Sequence, residues 1–226
     1  MSDKPHHYGH RKRLRERFLS GGASSMPDYE VLELLLFQAH PRGDMKPLAK
    51  ALIERFGTLS RVISAPPERL KEVKGVGEST IAALHVVREA ALRLIREDAQ
   101  DKPVLSSWNA LIDYCRAAMA FEGREQFRVL FLDRKNRLIA DEVQQQGTVD
   151  HTPVYPREVA RRALELDASA VILVHNHPSG DPSPSRGDIE MTRKVVEAAK
   201  AVSVTVHDHV VIGRNGQESF KALGLL

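Results

Sequence analysis

The stretch that decides the fold of the second half of this chain is AVILVHNHPSGDPSPSRGD, at residues 170–188 of 226. Its first five residues are apolar, a run typical of a buried strand. Proline, serine and glycine then fill a loop, and Ser185 stands where the N-cap of a helix is expected. The segment therefore predicts a buried strand, a short loop and a helix that begins near residue 186.

The same stretch carries metal-binding side chains. Residues i and i+2 of an extended backbone point the same way, so His175 and His177 present two imidazoles to one side. Asp188 falls in the first turn of the next helix, near the start of the loop. Two histidines and a carboxylate with an open fourth position form the ligand set of a catalytic zinc site. We therefore expect one zinc ion per chain, held by His175, His177 and Asp188.

Two simpler interpretations of these residues stay open at this point. Ser185-x-x-Asp188 is similar to a capping box, which needs no metal. The two histidines can also be hydrogen-bonded core residues at a strand end. Together these interpretations would have to account for two histidines on one face, a folded-back loop and an inward carboxylate, so we favour the metal site.

The composition is that of an ordinary globular protein, with 42% apolar and 28% charged residues, and it excludes wholesale disorder. The apolar runs are too short for a membrane span, and the first residues lack the apolar segment of a secretory signal. Cys115 is the only cysteine, which excludes an internal disulfide and a cysteine-based zinc finger. We therefore expect a cytoplasmic protein without membrane contact, in which Cys115 is a core residue and not a nucleophile.

The hydrophobic pattern divides the chain into two predicted domains, residues 1–102 and 103–226, at a polar stretch that includes Pro103. The first domain has only helical patterns, and the second alternates between strands and helices. The predicted fold class is α/β (α+β), with a small all-helical domain followed by a three-layer α/β domain. The predicted helices are 28–39, 47–56, 59–64, 67–73, 78–97, 107–120, 156–166 and 186–201, and the predicted strands are 127–132, 138–148, 170–175, 202–206 and 209–213.

The spacing His-x-His, seven residues, Ser, two residues, Asp at residues 175–188 resembles the JAMM, or MPN-plus, metalloprotease signature. The longer form HNHPSGDPSPS is similar to the bacterial RadC family, a UPF0758-type family, and the resemblance extends over residues 104–226. It includes GTV at 147–149, YPREV at 155–159 and DH at 208–209. The resemblance implies a JAMM/MPN fold of the cytidine-deaminase-like kind, and hydrolysis of a peptide or isopeptide bond in a peptide or protein substrate.

The resemblance also implies roles for single residues. His175, His177 and Asp188 match the zinc ligands, and Ser185 matches the serine that assists the reaction intermediate. A glutamate at the start of the first strand serves as general base in JAMM domains, and Glu125 fits that place, with Glu142 second and Glu158 third. We also weigh Asp208 and His209 as a pair that orients a metal-bound imidazole, although a structural hydrogen bond that supports the sheet is slightly favoured.

Residues 70–82, LKEVKGVGESTIA, are similar to a helix-hairpin-helix. The amides of its Gly75-Val76-Gly77 turn can reach a DNA phosphate, and Lys71 and Lys74 flank the turn. Ile81 and Glu78 depart from the usual pattern, and a purely structural or protein-binding hairpin is the alternative.

The distribution of charge bears on the same question. Residues 1–102 hold 18 Lys and Arg against 14 Asp and Glu, and six of these bases lie within residues 1–17. Such a basic arm can meet phosphate, or it can be a solvated terminus. The alternative function is therefore a DNA-associated binding protein, with non-specific DNA contact through residues 1–102, a structural or vestigial metal site and a link to DNA repair or recombination. The sequence predicts no oligomeric state.

Overall fold

The computed structural model describes residues 9–100, 104, 108–146 and 154–226. The chain divides into two compact units, Met1–Ala90 and Ala91–Leu226, and the division falls inside a long helix. The boundary that the sequence predicts, between residues 102 and 103, lies outside the described residues.

The first unit is helical where it is described. Its described apolar side chains form a main buried cluster, in which Leu32, Leu36, Leu52, Leu70 and Leu84 are fully buried, and a smaller one of Leu14, Met26 and Phe37. Its helices are α1 (His10–Arg17), α2 (Asp28–Ala39), α3 (Lys46–Phe56), α4 (Leu59–Ser64), α5 (Pro67–Lys71) and α6 (Glu78–Gln100), with short helical turns at Phe18–Gly22 and Ala23–Ser25.

Two side-chain contacts link helices within this unit. Residues 10–17 form a helix with Leu14 buried, and His10 Nε2 lies 2.8 Å from the buried carboxylate of Glu33. This part of the basic segment is therefore helical, although most of its basic side chains are exposed. Asp28 is the first residue of α2, and its carboxylate accepts a hydrogen bond of 2.8 Å from the amide of Leu59.

The second unit holds a five-stranded sheet with the strand order β2-β1-β3-β4-β5. The pair β3–β4 is parallel, and the other neighbouring pairs are antiparallel. The elements are α7 (Trp108–Met119), β1 (Gln126–Leu132), β2 (Leu138–Gln146), α8 (Pro156–Glu165), β3 (Ala170–Asn176), α9 (Arg186–Ala201), β4 (Thr205–Ile212) and β5 (Gln217–Ser219).

Side-chain alternation along β3 builds one core on each side of the sheet. Ile172 and Val174 belong to the cluster that includes α7, whereas Val171 and Leu173 pack with residues of α8 and α9. The sheet thus lies between helices on both faces, and the predicted mixed α/β fold is confirmed.

The end of the chain differs from the sequence prediction. Strands were expected at 202–206 and 209–213, but a single strand, β4, covers Thr205–Ile212, and β5 follows at Gln217–Ser219. The polar residues His207 and Asp208 interrupt the apolar pattern, which suggested a break. Asp208 is satisfied inside the strand by hydrogen bonds from Ser219 and from the amides of His209 and Lys221. Residue 107 of the predicted helix 107–120 and residues 147–148 of the predicted strand 138–148 lie outside the described residues.

None of the helices that the structure describes has the length and apolar character needed to cross a membrane.

Candidate metal centre and catalytic site

The two histidines of the motif lie on the side of the sheet that faces α9. His175 follows Val171 and Leu173 in the alternation of β3, so its side chain shares their face, and it is completely buried. His177 lies just past the end of β3, where its amide donates to the carbonyl of Ile212 over 2.9 Å. The edge where β3 and β4 end therefore fixes both imidazoles.

The predicted ligands form one cluster. His175 Nε2 and His177 Nε2 lie 3.0 Å apart, and each is 3.4 Å from an oxygen of the Asp188 carboxylate. Only 1% of the His175 side chain is exposed, against 17% for His177 and 14% for Asp188. Among the residues that the structure describes, this is the group of histidine and acidic side chains suited to hold a metal ion.

Asp188 belongs both to a capping box and to the metal-binding cluster, which the sequence had presented as alternatives. Its amide donates to Ser185 Oγ over 3.2 Å, and its carboxylate accepts from the Ser185 amide over 2.7 Å, which is a complete capping box for α9. The same carboxylate faces His175 and His177. The capping box and the metal-binding cluster therefore coexist, because the cap fixes the direction of the carboxylate.

Neighbouring groups tune the ionisation of the cluster. The pKa of His177 is raised above its ordinary value, first by its hydrogen bond with Asp188, which outweighs the effect of burial. Burial alone would raise the pKa of the Asp188 carboxyl, but hydrogen bonds with His175 and His177 hold it well below its usual range. Asp188 is therefore an anion at neutral pH.

In the neutral form of His177, the lone pair of Nε2 faces this cluster. Its Nδ1 lies 2.8 Å from the carbonyl oxygen of Asp181, which can only accept, so Nδ1 carries the proton in the neutral ring. Nε2 then faces a carboxylate and a second imidazole nitrogen. Two imidazoles and an anionic carboxylate fit zinc, which prefers nitrogen and oxygen ligands of this kind.

The cluster opens into a cavity of about 880 Å³ that also contains Glu125 and Ser185. Glu125 immediately precedes β1 and is half-buried, and its charge contributes to the raised pKa of His177. Ser185 is exposed at the start of α9. The residues that the sequence proposed as general base and assisting serine thus share one cavity wall with the three predicted ligands.

The alternative glutamates have other partners. Glu142 on β2 receives three hydrogen bonds of 2.6–3.0 Å from Arg162. Its pKa is lowered, chiefly by these bonds, and it does not line the cavity. Glu158 is paired with Arg157 and Arg161 on the surface of α8.

The pair Asp208 and His209 separates into two roles. Asp208 holds β4 and β5 together through the hydrogen bonds described above. His209 contacts the metal-binding cluster, since its Nε2 lies 2.8 Å from Nδ1 of His175. Burial holds the pKa of His209 well below its ordinary value, so its ring is neutral.

Two further residues of the site were not identified from the sequence. Thr192 is buried and lies 2.6 Å from both His209 Nδ1 and the carbonyl oxygen of Asp188. Asn176 accepts from the amide of Gln126 over 2.9 Å and donates to the carbonyl of Arg124 over 3.1 Å. Asn176 therefore clamps the backbone on both sides of Glu125. Thr192 stands four residues after Asp188, a spacing that places both on one helix face, whereas nothing in the sequence singles out Asn176.

The glycine turn in the first unit joins α5 to α6. Lys71, Lys74, Gly75 and Gly77 are exposed, and Val76 packs against the helical core. A side chain at Gly77 would meet nothing within 4 Å, so the space beside this backbone is open. In the second unit, Cys115 is fully buried, and burial raises the pKa of its thiol to about 12, which suits a core residue.

Comparison with known families agrees with this geometry. Residues 105–225 match the family model of the RadC-like JAB domain, and residues 6–82 match that of the UPF0758 N-terminal region. A UPF0758 protein of Rhodobacter capsulatus is 63% identical over 213 residues, which is 94% of this chain and all of that relative. The second unit thus carries a domain of the JAMM metallohydrolase superfamily, and the chain belongs to the RadC (UPF0758) family.

Proposed function

We propose that this protein is a zinc-dependent hydrolase that cleaves a peptide or isopeptide bond in a peptide or protein substrate. The observation that carries the proposal is the convergence of His175, His177 and Asp188 on a cavity that also holds Glu125 and Ser185. The cavity gives a substrate access to the three ligands, and a purely structural metal site would be closed.

The residues of the chain divide the chemistry among them. Zinc bound here would lower the pKa of a coordinated water towards about 7 and polarise the scissile carbonyl. Glu125 takes a proton from the attacking water and returns it to the leaving amine. Ser185 accepts a hydrogen bond from the amide of Asp188, and its own hydroxyl proton is available to the developing oxyanion.

Glu125 is a better general base than Glu142 because of its surroundings. The carboxylate of Glu142 is held by Arg162, which lowers its pKa and weakens it as a base. Glu125 lines the cavity, and Asn176 fixes its backbone position from both sides. The backbone that carries this base is therefore fixed at the cavity.

The deciding experiment supplies purified protein with zinc and a panel of peptide and isopeptide substrates, and follows cleavage by mass spectrometry. We expect cleavage by the wild type and its loss on chelation and in the Glu125→Gln variant. The Glu125→Gln variant should bind its substrate without cleaving it, so capture from a cell extract would identify that substrate. Wild-type protein that holds zinc and cleaves no member of the panel or of the extract would contradict the proposal.

Sequence-independent DNA binding is a second candidate function for the first unit. Its support is the exposed Gly75-Val76-Gly77 turn with open space beside Gly77, flanked by the exposed Lys71 and Lys74. Backbone amides at the start of α6 and two lysines suit a phosphate. This activity is compatible with hydrolysis in the second unit, and binding to a DNA duplex at low salt tests it.

A further inference from the structure

Two buried polar residues, His209 and Thr192, form a chain of hydrogen bonds that ends on His175. We propose that they are positioning residues, which hold His175 in the tautomer whose Nε2 lone pair faces Asp188 and His177. The inference rests on the metal site of the proposed function, but the tautomer is a property of the metal-free protein and can be measured without a substrate.

The direction of the chain is set at the backbone of α9. Thr192 Oγ1 lies 2.6 Å from the carbonyl oxygen of Asp188, which can only accept a hydrogen bond. The single hydroxyl proton of Thr192 is therefore committed to that carbonyl. As a result, Thr192 can only accept from its other neighbour, Nδ1 of His209, at 2.6 Å.

The hydrogen bond with Thr192 fixes the tautomer of His209. Because Thr192 accepts, Nδ1 of His209 carries the proton. The ring is completely buried, stacks on Phe220 at a centroid distance of 4.5 Å and meets Phe127 edge-on at 5.7 Å. Complete burial of the ring disfavours a second proton and its charge. Nε2 of His209 is therefore an acceptor.

The last link fixes the metal-facing nitrogen. Nδ1 of His175 lies 2.8 Å from the acceptor Nε2 of His209, so Nδ1 of His175 carries the proton and donates it. The Nε2 atom of His175 is then left with its lone pair, 3.0 Å from Nε2 of His177 and 3.4 Å from the carboxylate of Asp188. A histidine with the opposite tautomer would present an N–H to the metal and could not ligate through Nε2.

This series of hydrogen bonds begins and ends at Asp188. It begins at the backbone carbonyl of Asp188 and returns, through His175, to the carboxylate of the same residue. A displacement of α9 would thus move the ligand Asp188 and, at the same time, Thr192, which fixes the tautomer of the ligand His175. Buried partners of metal-ligating histidines typically change metal affinity 10–100-fold when removed, which sets the size of the expected effect.

Thr192 offers a matched pair of variants for the test. Thr192→Val keeps the shape and removes the hydroxyl, whereas Thr192→Ser keeps the hydroxyl. We expect the Zn²⁺ affinity of Thr192→Val, measured by competition with a chromophoric chelator, to fall roughly 10–100-fold, and that of Thr192→Ser to stay within about threefold of wild type. Equal Zn²⁺ affinities of the Val and Ser variants, at equal thermal stability, would overturn the proposal.

A second measurement reports the tautomer directly. In metal-free wild type labelled with ¹⁵N-histidine, NMR correlations of the imidazoles, assigned with a His175→Asn variant, should show His175 protonated at Nδ1. A proton on Nε2 of His175 in the wild type overturns the inference, even where Thr192→Val fails to fold. Tight Zn²⁺ binding and the expected tautomer without hydrolysis would refute the proposed function alone.

Discussion

His175 Nε2 and His177 Nε2 lie 3.0 Å apart at the end of β3, while the side chain of Asn176, the residue between them, lies on the opposite side of the strand. The contact brings together two ring nitrogens and, at 3.4 Å from each, a carboxylate. Such a group is stable only when a cation, either a proton or a metal ion, lies among its acceptors.

Purified wild-type protein should contain about one zinc ion per chain by elemental analysis. His177→Ala should lose most of this zinc, because it removes one of three ligands. His207→Ala is the matched control, since His207 lies on β4 and bonds Asn136 over 2.6 Å, outside the cluster. Retention of zinc by His177→Ala, or its loss from His207→Ala, would place the metal elsewhere.

The general base is tested by an isosteric exchange. Glu125→Gln should keep its zinc and lose about 10²–10⁴-fold in hydrolysis rate, because an amide cannot accept the proton of water. Asp188→Ala should lose zinc and activity together. Glu142→Gln is the control and should retain most activity. Full activity in Glu125→Gln together with loss in Glu142→Gln would assign the base to β2.

Without metal, the ion pair of His177 and Asp188 makes stability depend on pH. Because the pKa of His177 is raised above 6.5 in the folded protein, its stabilising contribution is complete below pH 6.5 and disappears as pH rises through the raised value. His207 and His209, whose pKa values are lowered, act in the opposite direction below pH 6.5.

We therefore expect the melting temperature of the metal-free protein to fall above pH 6.5, and less so in Asp188→Asn. Zinc reverses this slope, since it competes with the proton for the histidine nitrogens. Scanning calorimetry of both forms from pH 6.5 upwards measures the difference. A metal-free wild type with the same slope as Asp188→Asn would show that the pair is not coupled.

DNA binding by the first unit should weaken steeply with salt. Lys71→Glu combined with Lys74→Glu should abolish binding at about 50 mM salt and leave the zinc content unchanged, because the two lysines would neutralise phosphates. Lys135→Glu with Lys200→Glu carries the same change of charge at exposed sites of the second unit and is the control. Equal DNA affinity of both double variants, by fluorescence anisotropy, would argue for a structural hairpin.

Two loops approach so closely at Gly213 that a side chain there would clash. A Cβ atom at Gly213 would lie 2.4 Å from the carbonyl oxygen of Gly180 and 3.0 Å from Pro182 Cδ. Gly213→Ala should therefore destabilise the protein by about 1–3 kcal/mol in urea unfolding and displace the loop that carries His177, with weaker zinc binding. Gly216→Ala, where a Cβ would meet nothing within 4 Å, should change little. Similar unfolding curves would show that the loop yields without cost.

The cluster of His175, His177 and Asp188 could be predicted from the sequence because it depends on short-range geometry. Strand alternation places His175 and His177, and the helix start places Asp188, so one continuous segment determines most of the cluster. Glu125 is different, since a strand-start carboxylate is common and only the resemblance to JAMM domains singled it out. The structure adds that Asn176 clamps its backbone.

Long-range contacts were not predictable in the same way. The bond between His175 and His209 joins residues 34 positions apart, and it depends on the parallel register of β3 and β4. The strands predicted at 202–206 and 209–213 leave out His207 and Asp208, because these polar residues interrupt the apolar pattern. Their partners, Asn136 and Ser219, lie on other segments, so no local signal reveals that the strand continues.

The order of synthesis gives the parallel pairing of β3 and β4 a further consequence. The nascent chain contains the three predicted ligands before β4 at Thr205–Ile212 has been made. During that interval the strongly apolar β3 can pair with β1 only, and its other edge is open to strands of neighbouring chains. Pairing with β4 has to wait for the crossover through α9, a non-local step that is intrinsically slow. Variants that weaken this pairing should therefore be lost to aggregation during expression, even where the finished protein would bind metal normally.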